Sequence, residues 1–73
     1  MDYSQNRFYR ALEKRYSSNI EEAQANAENI FENPVAIGDH SDLVGELQKY
    51  VSEISKNYDD LETLKTFFGD VER

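Results

Sequence analysis

Residues 33–41, with the sequence NPVAIGDHS, separate two long segments whose apolar side chains recur at steps of three and four. Such steps follow the period of the α-helix, so each segment carries one apolar stripe. The first stripe consists of Phe8, Leu12, Tyr16, Ile20, Ala23, Ala27 and Ile30, and the second of Val44, Leu47, Val51, Ile54, Tyr58, Leu61 and Phe68. The sequence therefore predicts an all-α protein in which two helices flank one loop.

The two stripes match each other when they are paired outward from the loop. Six pairs run from Ile30 with Val44 to Leu12 with Leu61, and the two residue numbers of each of these pairs sum to 73 or 74. A constant sum is what two antiparallel helices require. We therefore expect an antiparallel hairpin with helices at about 4–32 and 41–68, forming a single helical domain over residues 1–73.

The expected helix ends follow from capping and proline chemistry. Asp2 or Ser4 can cap the first helix, and Pro34 disfavours helix in the residue before it, so the helix ends at residue 32 or 33. Ser41 or Asp39 is the expected cap of the second helix. In the loop, Val35 and Ile37 are expected to fold back over the end of the hairpin.

A three-helix bundle is the alternative architecture. Residues 17–19 (Ser-Ser-Asn) interrupt the first stripe, and Ser18 with Glu21 matches the S-x-x-E capping box. The apolar period continues without a shift from Tyr16 to Ile20, and this favours one unbroken helix.

The composition of the chain excludes several kinds of site. The chain has 73 residues, a net charge of -7 and no cysteine, so neither a disulfide framework nor a thiolate metal site can form. There is no apolar run of about 18 residues that could cross a membrane, and the N-terminus does not resemble a signal peptide. We expect a cytoplasmic protein.

A band of apolar residues beside the two stripes predicts a partner. A lone hairpin would leave this band in water, whereas two hairpins in a four-helix bundle would cover it. The expected partner is a second copy, and the alternative is another helical protein. The band consists of Tyr9, Phe31, Leu43, Tyr50, Leu64 and Phe67.

The charges are unevenly distributed. A basic face of Arg7, Arg10, Lys14 and Arg15 opens the first helix. It can bind nucleic acid or an acidic partner, or it can pair within the hairpin with Asp59, Asp60 and Glu62. The loop end is acidic, with Glu28, Glu32, Asp39, Asp42 and Glu46; it is either a solvated face or a nucleic-acid mimic that inhibits a basic partner.

Catalytic signatures are absent from the sequence. No cysteine is present, no histidine stands beside a plausible serine nucleophile, and the three glycines form no phosphate-binding loop. The single histidine, His40, lies near Asp39 and Asp42, but one loop histidine is a poor metal site. We expect no enzyme activity, catalytic residue, metal, cofactor or small-molecule substrate.

Residues 30–42 (IFENPVAIGDHSD) resemble a loop of uncharacterised small helical proteins of tailed bacteriophages, especially T4-like phages of marine cyanobacteria. The chain departs from that pattern at Ala36 and Asp39, where those proteins carry glycine and glutamate. The resemblance implies expression in an infected bacterial cytoplasm and a virion-accessory or host-modulating role. The sequence thus predicts a small protein–protein interaction module, with a nucleic-acid-associated protein or an acidic mimic as the alternatives.

Overall fold

The structure is a computed structural model that describes residues 2–34 and 42–69. Within these residues, helix α1 spans Arg7–Glu32 and helix α2 spans Leu43–Phe68, each 26 residues long. The helices pack against each other in a rod with extents of 50 × 20 × 15 Å. Helix α1 continues through residues 17–19, so the predicted two-helix hairpin is confirmed and the three-helix alternative is wrong.

Helix α1 begins two to four residues later than predicted. The Asn6 side chain caps it by accepting hydrogen bonds from the backbone N–H groups of Phe8 (2.9 Å) and Tyr9 (3.3 Å). Asp2 instead accepts from the Ser4 N–H at 2.8 Å, which keeps both residues in the turn before the helix. Hydrogen bonding from the Ser4 side chain, and secondly from its backbone N–H, lowers the pKa of the Asp2 carboxyl.

The cap of helix α2 also differs from the prediction. The Asp42 carboxylate accepts a hydrogen bond from the Gly45 N–H at 2.8 Å, and the helix begins at Leu43. Asp42 is therefore the N-cap of α2, where Ser41 or Asp39 was the expected cap. Those two residues lie outside the described part of the chain, as do Val35 and Ile37.

The contact between the helices is a seam with alternating steps of four and three. In α1 every residue that is buried or half-buried belongs to the set Tyr9, Glu13, Tyr16, Ile20, Ala23, Ala27 and Ile30. The facing positions of α2 are Leu43, Leu47, Tyr50, Ile54, Asn57, Leu61 and Leu64. Steps of four and three are the heptad spacing of coiled-coil packing.

Six residues of the predicted stripes are exposed instead of lying in the seam. At the start of α1, Tyr9 is 7% exposed and Phe8 is 84% exposed, so the prediction that Phe8 faces the partner helix is wrong. Five more predicted seam residues are likewise exposed, namely Leu12 in α1 and Val44, Val51, Tyr58 and Phe68 in α2. Each helix is rotated about its own axis so that one continuous heptad seam forms. Because the apolar stripes are wider than this seam, the residues at their edges are exposed to solvent.

One polar pair crosses the middle of the hairpin. The Asn19 Nδ2 donates to Asn57 Oδ1 at 3.0 Å, and Asn57 Nδ2 donates to the Glu53 carbonyl at 2.7 Å. Asn57 is half-buried at a seam position. A polar residue at such a position favours one register at some expense of stability.

The chain before α1 closes over the end of α2. The Tyr3 N–H donates to the Phe68 carbonyl at 2.7 Å, and the two rings lie 6.4 Å apart. This hydrogen bond satisfies a carbonyl that the helix itself leaves unpaired. Below it, the Tyr9 hydroxyl lies so close to Gly69 that a Cβ there would come within 2.5 Å of it. Burial is the main cause of the raised pKa of Tyr9.

Candidate interaction surface

The six residues predicted to form an exposed apolar band do not share one environment. Tyr9 and Leu64 are buried between the helices, so the prediction that they are left in water is wrong. Leu43 and Tyr50 are half-buried at seam positions, and Phe31 and Phe67 are largely exposed. Only the last two lie freely on the surface of the hairpin.

A different set of apolar residues forms a row on helix α2. Val44, Val51 and Tyr58 recur every seven residues and are between 56% and 77% exposed. We call these three residues the apolar row. The sequence predicts all three in the hairpin seam, and the structure places them outside it.

The apolar row lies on one broad side of the hairpin. Each residue of the apolar row comes directly after a seam residue of α2 in the sequence. In α1, Arg10 and Phe31 likewise come directly after the seam residues Tyr9 and Ile30. The two helices of an antiparallel pair are related by a pseudo-twofold axis normal to the hairpin. Residues that directly follow seam positions in either helix therefore lie on the same side of the hairpin. We call this side the row face. Residues that precede seam positions lie on the opposite side, where Leu12 and Asp60 line a common cleft.

A second apolar surface lies on that opposite side, at the end of the hairpin that carries the termini. It is an open groove of about 380 Å³, and the exposed Phe8 forms part of its wall. We call it the terminal groove. Its lining is Tyr3, Asn6, Phe8, Tyr9, Leu12, Leu64 and Phe68.

The predicted basic face is exposed and makes no ion pair with any carboxylate of residues 2–34 or 42–69. Arg7, Arg10 and Lys14 line an open cavity of about 490 Å³, and Arg15 lies one residue further along α1. Asp59, Asp60 and Glu62 do not pair with them. The ion pair found in the described ranges joins Lys49 and Glu46 at 3.6 Å within α2. Intramolecular pairing of the basic face is therefore wrong for these residues.

The charges on the row face change sign along α1. Arg7, Lys14, Glu21 and Glu28 are spaced by seven, so they form one line along the helix, which we call the charge row. Each lies three residues before a row-face position such as Arg10 or Phe31, and residues three apart are neighbours on a helix. The row is positive near the termini and negative near the loop.

The acidic loop end is described only in part. Glu28, Glu32, Asp42 and Glu46 lie within the described residues, whereas Asp39 and His40 lie outside them. Among residues 2–34 and 42–69, no group of three or more histidine or acidic side chains is arranged to hold a metal ion. Neither described helix is long and apolar enough to cross a membrane.

Comparisons of this chain with protein-family models, curated proteins and solved structures find no match.

Proposed function

We propose that this protein is a small, non-enzymatic interaction module whose partner is a second copy of the same chain. The observation that carries the proposal is the exposed apolar row on α2. It runs over 15 residue positions, from Val44 to Tyr58, which is about 21 Å of helix at 1.5 Å per residue. Phe31 extends the same surface onto α1.

The energetics of a short hairpin support a partner on this face. Within the described residues the buried core consists of Tyr9, Ala23, Ala27, Ile30 and Leu64. The core of a domain this small rarely supplies more than about 3–5 kcal/mol of net stability. Association of two row faces into a four-helix bundle would bury the apolar row and stabilise the fold by mass action.

The proposed setting is an infected bacterial cytoplasm. It is supported by the resemblance of residues 30–42 to a loop of small helical phage proteins. In that setting the module would serve as a virion-accessory or host-modulating protein. No chemistry of its own is required, because such a protein acts by occupying a surface.

Solution mass across a concentration series tests the proposal. The wild-type chain has a mass of 8.5 kDa, and we expect light scattering to give about 17 kDa at high concentration, falling on dilution. Val51→Glu places a charge in the middle of the apolar row and should remain monomeric.

Phe8→Glu is the matched control, since Phe8 is also apolar and exposed but lies at the terminal groove. This variant should dimerise like the wild type. A wild-type mass of 8.5 kDa at every concentration contradicts the proposal. Loss of the dimer in Phe8→Glu alone would move the interface to the terminal groove.

Nucleic-acid binding is the second candidate, and the basic face favours it. Arg7, Arg10 and Lys14 are exposed and unpaired with the described carboxylates, which suits contact with phosphates. This candidate predicts binding of a labelled oligonucleotide that weakens with salt and is lost in the double variant Arg10→Glu, Lys14→Glu. Absence of binding in low-salt fluorescence anisotropy excludes it.

A further inference from the structure

We infer that the end of the hairpin that carries the termini binds single-stranded nucleic acid, with a base stacked on Phe8 and phosphates on the basic face. The inference goes beyond self-association, and it gives the second candidate function a ligand class and a site. The observations that carry it are the exposure of Phe8, the aromatic lining of the terminal groove and the cations beside that groove.

Phe8 presents an aromatic ring to solvent. It is 84% exposed, more than any other large apolar side chain of residues 2–34 and 42–69. Helix α2 does not cover the ring, because the neighbouring seam position is occupied by Tyr9. An exposed aromatic ring is a platform on which an unpaired base can stack, and such stacking tolerates every base.

The Phe8 ring forms part of an aromatic groove. Tyr3, Tyr9 and Phe68 line the terminal groove with it, and the rings of Tyr3 and Phe68 lie 6.4 Å apart. The hydrogen bond from the Tyr3 N–H to the Phe68 carbonyl, 2.7 Å long, connects the two chain segments that carry these rings. The groove volume of about 380 Å³ lies within the range of about 300–1,000 Å³ that is typical of ligand pockets. The groove is therefore large enough to receive a base.

The basic cavity adjoins this groove on the outer surface of α1. Arg7 directly precedes Phe8, and Ala11 lines the basic cavity together with Arg10 and Lys14. Ala11 lies three residues after Phe8, and residues three apart are neighbours on a helix. The side chain between the ring and the cations is thus an alanine, which is too small to separate them. A strand with a base on Phe8 can place its phosphates against the cations.

The charges of this surface are complementary to a short polyanion. Arg7, Arg10 and Lys14 are exposed and form no ion pair with the carboxylates of residues 2–34 and 42–69. Arginine can bind a phosphate through two parallel hydrogen bonds. Asp60 lines the cleft next to the groove, and the charge row becomes acidic at Glu21. These carboxylates confine the phosphates to the first turns of α1, so the site accommodates only a few nucleotides.

A single strand suits this surface better than a duplex. The bases of a duplex are paired and stacked on one another, and their extrusion costs free energy. A duplex lying along α1 would also bring its phosphates close to Glu21 and Glu28, whereas a flexible single strand can turn away after Lys14. The terminal groove lies on the side opposite to the row face, so the proposed dimer would leave the groove open.

Fluorescence anisotropy with a short labelled oligothymidylate tests the inference, and its duplex with oligodeoxyadenylate is the comparison. All proteins carry Val51→Glu, so that self-association does not contribute. At low salt we expect the single strand to bind at least about tenfold more tightly than the duplex. Phe8→Ala should raise the dissociation constant for the single strand about tenfold, since one stacking platform is lost. Phe8→Trp keeps an aromatic platform and should bind within about threefold of the parent.

Salt dependence separates stacking from charge. Three phosphate contacts predict a slope of about -2 when the logarithm of the association constant is plotted against that of the salt concentration. Phe8→Ala should leave this slope unchanged, whereas Lys14→Ala should reduce its magnitude by about 0.7. Phe31→Ala is the matched control, because Phe31 is 70% exposed at the other end of α1 and should change neither affinity nor slope. Far-UV circular dichroism checks that the helices remain intact.

The outcomes distinguish this inference from the proposed function. A single strand that binds no more tightly than the duplex, or that binds Phe8→Ala as tightly as the parent, overturns the inference. Inorganic polyphosphate has the charges without the bases, and equally tight binding of polyphosphate would also overturn it. Absence of oligonucleotide binding at low salt overturns the inference and leaves the proposed self-association intact, since light scattering of the wild-type chain tests that separately.

Discussion

Replacement of Ala23 by leucine should destabilise the hairpin sharply, because Ala23 is 1% exposed at the seam between the helices. The extra carbon atoms have no space there, and overpacking of this kind costs about 1–3 kcal/mol. That is a large part of the roughly 3–5 kcal/mol expected for a core of this size. At about 4–8 °C per kcal/mol, the melting temperature should fall by at least several degrees.

Ala25→Leu provides the matched control. Ala25 lies two residues away in the same helix and is exposed, and alanine and leucine are both strong helix formers. Any difference between the two variants therefore reports packing against α2. The measurement is urea denaturation followed at 222 nm, made in the Val51→Glu background so that dimerisation does not contribute. Equal stability of the Ala23→Leu and Ala25→Leu proteins would refute the assignment of Ala23 to the seam.

Three further predictions follow from the described contacts. Asn6→Ala and Asp42→Ala each remove a side-chain cap and should lower the free energy of unfolding by about 1 kcal/mol in urea titrations; no change would contradict the capping bonds. Asn57→Leu should raise the free energy of unfolding by about 1 kcal/mol, since it replaces a half-buried polar residue at the seam; a lower denaturation midpoint would contradict this. The raised pKa of Tyr9 means that its neutral phenol stabilises the fold fully below pH 10, the ordinary tyrosine pKa, and that this contribution is lost as the pH rises through the folded-state pKa. Thermal melts between pH 9 and 12 should therefore show an alkaline loss that is smaller in Tyr9→Phe, and identical profiles would disprove it.

The candidate interaction surface was only partly predictable. The sequence indicated that a hairpin would leave apolar side chains exposed, and Phe31 and Phe67 are indeed exposed. It did not indicate that Tyr9 and Leu64 are buried, or that the apolar row is exposed. Adjacent apolar residues such as Phe8 and Tyr9 compete for one seam position, and their hydrophobicity does not decide which is chosen.

The ends of the helices show the same limit. Asp2, Ser4 and Asn6 are all good caps by residue type, and Asn6 is selected because its side chain reaches the N–H groups of Phe8 and Tyr9. The stop before Pro34 was predictable, since it depends on a local steric clash. The choice of cap depends in addition on where the preceding residues lie. Here the Tyr3 N–H is hydrogen-bonded to the Phe68 carbonyl at the end of α2.

The sequence by itself predicted the antiparallel pairing of the two described helices and favoured the continuity of α1 through residues 17–19. These features depend on the period and spacing of apolar residues, which are properties of the chain. Only the tertiary structure decided how each helix is rotated about its axis. An apolar stripe wider than the seam permits several rotations, and packing across the whole hairpin selects the one that buries Tyr9 and Leu64 and leaves the apolar row exposed.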